Sequence, residues 1–254
     1  MFLIMNINPD INFNNVQHFK SIDSTNAEAH RYLENKNTQK PLWFLADNQD
    51  AGRGRMGSKW ISNEGNLFCS LIYPINWDLK LMPMISALVA VVIHETISFF
   101  IGNDPKLKIK WPNDILINDA KISGALIENI IGGENKYTII GIGINILSSP
   151  KLDIYQTAFI NEFLNTPINV KHVFLKLKVN LENKLKDFST ETVNIIRHQM
   201  LNNAWKINEN VNYISNSIES SGFFENISEN YEIIIRTETN QVKLSSGELK
   251  LIRD

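Results

Sequence analysis

The segment GRGRMGSK at 52–59 concentrates positive charge where the backbone is least encumbered. Arg53, Arg55 and Lys59 carry the charge with no acid among them, and Gly52, Gly54 and Gly57 leave the chain free to turn. Guanidinium groups and exposed backbone N–H groups of such a loop can wrap a polyanion. The competing reading is a solvated surface loop. GRGRMG also satisfies the G-x-G-x-x-G spacing of a dinucleotide site. That motif must open a helix carrying the pyrophosphate, and the continuation SKWISNEGNLF reads as polar loop instead.

A second constellation is KIKWPNDILINDAKISGALIE at 108–128. Alternation puts Lys108 and Lys110 on one strand face and Ile109 on the other. Pro112 breaks the strand and leaves Asn113 and Asp114 at its end. Asp114 could hold Mg2+, accept a proton, or simply close an Asx turn. Lys121 follows a turn, where a solvated hairpin lysine is the default. A third segment, SIDSTN at 21–26, opens a helix. Thr25 has the spacing of an N-cap with Glu28 as its capping-box partner, and a helix N-terminus can also hold a small polar ligand. Other chemistry finds no support. His94-Glu95 lacks the second histidine of H-E-x-x-H, the remaining histidines are scattered, and G-x-S-x-G is absent. No metal site is expected. Cys69 lies in the strand-like LFCSLIY and reads as core.

The elements that must position these residues are legible in outline. Strands are expected at 42–45, 67–73, 107–111, 115–117, 122–127 and 137–146, with a turn at Asn118-Asp119 and two glycines, Gly141 and Gly143, inside the last strand. Pro83 sits just inside a long apolar helix ending near Gly102. Val170, Val173, Phe174, Leu177, Leu181 and Leu185 recur at helical spacing, and another helix follows at about 191–202. After Trp205 the pattern becomes short β segments at 211–215, 222–227, 231–237 and 241–244. They suggest a small barrel or sheet, with the boundary near residue 203.

Composition narrows the class. The 254 residues are 43% hydrophobic and 20% charged, which supports a packed core and excludes disorder as the main state. The net charge of −2 supplies no global basic field for nucleic acid, so an anionic ligand must be held by a local cluster. One cysteine excludes a disulfide framework and fits a reducing, cytoplasmic setting. The apolar run at 84–93 meets His94 and Glu95 after about ten residues, half of what a membrane span needs. The opening residues 1–10 lack the features of a signal peptide.

Taken in order, SIDSTN, DNQDAGRGRMGSKW (47–60), KWPNDILINDAKISGALIE (110–128) and GIGINI (141–146) resemble biotin–protein ligase, also called biotin–acetyl-CoA-carboxylase ligase. The resemblance spans about 21–146 and continues loosely to the C-terminus. It implies an α+β fold: a central mixed β-sheet flanked by helices, like class II aminoacyl-tRNA synthetases, with a small C-terminal SH3-like β-barrel. The expected division is a catalytic domain at 1–203 and the barrel at 204–254. The implied reaction uses ATP with Mg2+ to form biotinyl-5′-AMP, then passes biotin to a lysine of a biotin carboxyl carrier domain. By resemblance, Ser24, Thr25, Asn26 and Gln49 bind biotin, and Arg53, Gly54 and Arg55 belong to a loop that folds over biotin and the adenylate phosphate. That loop is expected to be mobile when empty. Lys121 sits by the biotin carboxylate and α-phosphate. Trp60, Asn113 and Asn145 line the nucleotide side, and Asp114 orients or deprotonates the incoming amine or takes a metal-linked role. About twenty residues precede SIDSTN, too few for a winged-helix repressor module, so no DNA partner and no membrane are expected. A monomer or weak homodimer is expected. The alternatives are a lipoate- or octanoate-type ligase on a related fold and a non-enzymatic biotin sensor. The R-R-x-S-G-G-G run of lipoate ligases is absent.

Overall fold

The computed structural model describes residues 14–132, 135–215 and 217–250, so the segment at 1–10 lies outside the described residues. Seven strands form one mixed sheet: β1 (Val16–Phe19), β2 (Leu42–Ala46), β3 (Leu67–Pro74), β4 (Leu107–Lys110), β5 (Asp114–Ile117), β6 (Ala120–Ile131) and β7 (Lys136–Ile144). Their spatial order is β1-β2-β3-β7-β6-β5-β4. β1 runs parallel to β2, and the other neighbours are antiparallel.

Period-two alternation divides the faces of this sheet. Phe44, Ile72 and Ile139 meet Ala29 of α1 (Thr25–Asn35) on one face. Their neighbours Trp43, Leu71 and Ile140 join the larger core formed with α2 (Met82–Ile101), α3 (Val170–Lys186) and α4 (Thr190–Asn202). The helices are thus unequal in weight: three thicken one side, and α1 alone leaves room on the other for loops and a cavity.

The length argument against a membrane span needs correction. Counted from the preceding 3-10 turn, the helix runs over Leu79–Ile101 and is long and apolar enough to cross a bilayer by composition. Its burial identifies it instead. Met84, Ile85, Leu88, Val92 and Ile97 are almost wholly enclosed, each contributing about 1.5–3 kcal/mol relative to exposure. It is the central core helix.

Five antiparallel strands follow: β8 (Asn210–Ser215), β9 (Ile218–Ile227), β10 (Ile233–Arg236), β11 (Gln241–Leu244) and β12 (Glu248–Leu249), in the order β11-β10-β9-β8-β12. The architecture is therefore α+β, a helix-flanked mixed sheet followed by an SH3-like β unit. Several details depart from the sequence pattern, among them β12, which has no counterpart in it. β9 begins earlier than expected, and Tyr231 stands in a turn with φ of 63° rather than in a strand. Its position has a consequence: Trp111 Nε1 donates to the Tyr231 carbonyl at 3.0 Å, and the Tyr231 hydroxyl donates to the Pro112 carbonyl. The β unit thereby clamps the KWPND turn.

Candidate active site

The three motifs converge on one cavity of about 990 Å³ on the α1 side of the sheet. Ser24, Thr25, Asn26, Gln49, Arg53, Gly54, Arg55, Trp60, Asn113, Asp114 and Lys121 all line it. Asn145 lies apart, in a small adjoining pocket shared with Trp60, Lys121 and Tyr155.

One end is made of small polar groups. Ser24 is the N-cap of α1, its extended backbone turning into the helix while its hydroxyl oxygen accepts from Ala27 N–H at 3.4 Å. This corrects the sequence reading, in which Thr25 caps and Glu28 completes a box. Glu28 instead pairs with Arg31, and the cap belongs one residue earlier. Arg31 also grips Asp23, holding that carboxyl down at about 2, and Asp23 accepts from Ser24 N–H. Freed from capping, Thr25 donates its backbone N–H to Gln49 Oε1 at 2.9 Å, and its hydroxyl lies 3.1 Å from the same oxygen.

Gly141 and Gly143 make room on the sheet. A Cβ at Gly141 would fall 2.1 Å from Asn26 Oδ1, and one at Gly143 would fall 2.4 Å from the Trp60 ring. The two glycines inside β7 therefore mark where a helix side chain and a loop indole rest directly on the strand.

The 52–60 segment folds back as a flap. Trp60 N–H donates to Gly52 O at 2.9 Å, and Gly54 N–H donates to Ser58 O at 2.7 Å. Met56, with φ of 51°, turns at its tip and is 88% exposed. Arg55 reaches inward to Asn113 Oδ1 at 3.2 Å, and Asn113 donates to Ala125 O at 2.6 Å. Arg53 points to Glu128, 3.5 Å away.

Facing the flap is Lys121. The Asn118-Asp119 turn adopts positive φ at both residues, as a tight hairpin requires. A register shift follows it, and Ile122 has no partner across β5. That extra residue puts Lys121 and Gly124 on the same face, where perfect alternation would separate them. Lys121 Nζ lies 2.8 Å from Asp114 and 5.5 and 5.6 Å from the Trp60 and Tyr155 rings. Burial pulls the ammonium down, but Asp114, Tyr155 and Glu248 outweigh it and hold its pKa above the ordinary lysine value. The solvated-hairpin and simple Asx-turn readings of Lys121 and Asp114 do not hold: both side chains are largely enclosed and paired. The isolated bridge from Lys121 to Thr157 further fixes its backbone.

Sequence reasoning assigned no role to several residues that organise this site. Ser70, fully buried on β3, bonds both Thr25 and Asn26. Glu128 gathers Asn26, His30 and Arg53. Lys110, 2% exposed, bridges Asp114 at 3.8 Å and Glu248 of β12 at 2.8 Å. One signal was available: Ser70 is a hydroxyl inside an otherwise apolar strand. Among the described residues no three His, Cys, Asp or Glu side chains cluster to hold a metal.

The arrangement suits chemistry on an anionic ligand that carries a small polar head at one end, and comparison with known proteins agrees. Over 238 residues, 89% of this chain and 96% of the other, it is 26% identical to the biotin–[acetyl-CoA-carboxylase] ligase of Paracoccus denitrificans. It is 42% identical over 127 residues to the bifunctional ligase/repressor BirA of Bacillus spizizenii, covering 49% of this chain and 38% of that one. The structure of the Aquifex aeolicus biotin protein ligase in complex with biotin and ATP superposes with a TM-score of 0.78 at 26% identity, over 95% of this chain and all of the other. The model of the biotin/lipoate A/B protein ligase family matches residues 18–145, which hold all eleven cavity residues named above, and the chain belongs to that family.

Proposed function

We infer that this chain is an ATP-dependent biotin–protein ligase. The observation that carries the reading is a single cavity in which a small-polar pocket adjoins a cationic flap and a buried ammonium. In the first step a biotin carboxylate oxygen bonds the α-phosphorus of ATP, the bond to the bridging oxygen breaks, and pyrophosphate leaves. In the second, the amine of an acceptor lysine bonds the acyl carbon and loses a proton, and AMP departs with its oxygen.

The first step brings anions together, so groups that stabilise charge on the phosphoryl oxygens matter most. Lys121 and Arg55 take that role. Ser24, Thr25, Asn26 and Gln49 hold the ureido head of biotin, since an unpaired polar group there costs about 1–3 kcal/mol. Arg53 and Gly54 shape the flap, which closes over the ligand, and Trp60, Asn113 and Asn145 serve the nucleotide side. Asn145 Oδ1 and Trp60 Nε1 are buried without a hydrogen-bond partner among the described residues, as groups awaiting a ligand would be. Asp114 sits between the ammonium groups of Lys121 and Lys110, which favours an orienting role toward Lys121 and the incoming amine over metal binding. Mg2+ enters with the nucleotide substrate and screens its phosphate charge.

The acceptor is a lysine of a biotin carboxyl carrier domain. Residues 1–203 form the catalytic unit and 204–254 its SH3-like companion. The proposed oligomeric state is a monomer or weak homodimer. The net charge of −2 offers no general attraction for DNA, and one buried thiol suits a reducing cytoplasm. The lipoate alternative is disfavoured because the Paracoccus and Aquifex proteins are biotin ligases.

Incubating the protein with ATP, Mg2+, biotin and a generic carrier domain should add one biotinyl group to the carrier by intact mass, and lipoate should add nothing. Transfer of lipoate in place of biotin installs the rival ligase reading. Tight biotin binding without transfer returns the sensor. For the flap, Arg55→Gly removes the contact to Asn113. Free biotinyl-AMP in solution should then rise several-fold over wild type, because closure protects the mixed anhydride. Retention as tight as wild type would exclude a lid role for Arg55.

A further inference from the structure

Beneath the polar pocket runs a chain of hydrogen bonds that begins at a carboxylate outside it. Asn26 Nδ2 donates to Glu128 Oε2 at 2.8 Å. Ser70 Oγ donates to Asn26 Oδ1 at 2.5 Å and lies 2.7 Å from Thr25 Oγ1. Thr25 Oγ1 lies 3.1 Å from Gln49 Oε1, and Gln49 Nε2 donates to Ser62 at 3.1 Å.

The direction of each link follows from donor counting. A carboxylate only accepts, so Asn26 turns its amide nitrogen to Glu128 and its carbonyl to Ser70. Ser70 has one hydrogen, and the carbonyl takes it. The Ser70–Thr25 contact must then use the Thr25 hydrogen, for which Gln49 Oε1 is the second acceptor. Either way Thr25 has no hydrogen left for a ligand and faces the cavity as an acceptor. Ser24 is the reverse: its oxygen accepts from Ala27, leaving its hydrogen to donate. A cyclic urea, one carbonyl flanked by N–H groups, matches that pair of polarities.

We propose that Glu128 and Ser70 are positioning residues that set the polarity of the ureido pocket through Asn26 and Thr25. The inference rests on the biotin reading above. Glu128 is well placed for the task because Arg53 and His30 also gather on Oε2, at 3.5 and 3.2 Å, holding the carboxylate in place. A glutamine at 128 can donate instead. Asn26 is then free to flip, Ser70 turns its hydrogen to Thr25, and one of the two lone pairs that Thr25 offers the urea is taken. An alanine at 70 cuts the chain at its middle.

Steady-state kinetics on the full chain with a carrier domain tests this. Glu128→Gln and Ser70→Ala should each raise the KM for biotin about tenfold, leaving kcat and the KM for ATP within about twofold. The double variant should be no worse than the more affected single one, because both break the same chain. A thermal midpoint near that of wild type checks that each variant is folded. A biotin KM within twofold of wild type for either single variant, or effects that multiply in the double, overturns the proposal. So does an Arg53→Ala variant that reproduces Glu128→Gln while Ser70→Ala does nothing, since Glu128 would then act through the flap. Wild-type protein that ligates no biotin overturns the functional reading itself and the proposal with it. Active wild type beside unaffected variants removes the proposal alone.

Discussion

Lys121→Ala is expected to lower the rate of biotin-dependent pyrophosphate release by about 10²–10³-fold, the range seen when one preorganised charge-stabilising donor is removed. The fold should survive. Asp114 loses a partner at 2.8 Å but keeps Lys110 at 3.8 Å, so the carboxylate is not stranded. Thermal unfolding within a few degrees of wild type, beside the lost turnover, is the expected pairing, and near-wild-type turnover removes Lys121 from the mechanism. The pH dependence has a definite sign. A lysine held above its ordinary value of 10.5 is charged throughout the neutral range. Its ion pair is fully in place below 10.5 and is lost only as pH rises through the higher folded value. A fall in adenylation at moderately alkaline pH must therefore come from another group.

What the sequence revealed about this site divides by distance along the chain. GRGRMG, KWPND and SIDSTN announce themselves because each packs its chemistry into a few residues. The turn at Asn118-Asp119 and the glycines of β7 are local signals too. Partnerships across many residues are invisible to such reading. Ser70 meets Asn26 across 44 positions, Asn26 meets Glu128 across 102, and Lys110 meets Glu248 across 138. β1 escaped notice for a related reason. It is a four-residue edge strand whose pairing with β2 is parallel, so no hairpin turn joins them. The N-cap was misplaced because Ser24 and Thr25 are equally good candidates, and only the Gln49 side chain, folded in from another loop, claims Thr25. Lys121 reads as solvated until the bulge after it turns the side chain inward.

The sheet glycines give the other large effect. Gly143→Ala needs no unusual backbone, since Gly143 does not have positive φ. Its new methyl carbon would nevertheless lie 2.4 Å from Trp60 Cε2 and 2.6 Å from Cζ2, so the indole must move. Trp60 is the C-terminal hinge of the flap through its bond to Gly52, and its ring lies over Lys121. Displacing it should lift the flap and loosen the nucleotide side together. We expect kcat/KM for ATP to fall about 10–100-fold, the scale of loss when positioning groups are displaced by about an ångström. Gly132→Ala, where a Cβ meets nothing within 4 Å, should leave it unchanged. The decisive measurement is the pair of backgrounds. In Trp60→Ala protein the obstacle is gone, so adding Gly143→Ala should cost almost nothing further. A full Gly143→Ala penalty in both backgrounds would mean that this glycine serves the strand itself and not the indole laid upon it.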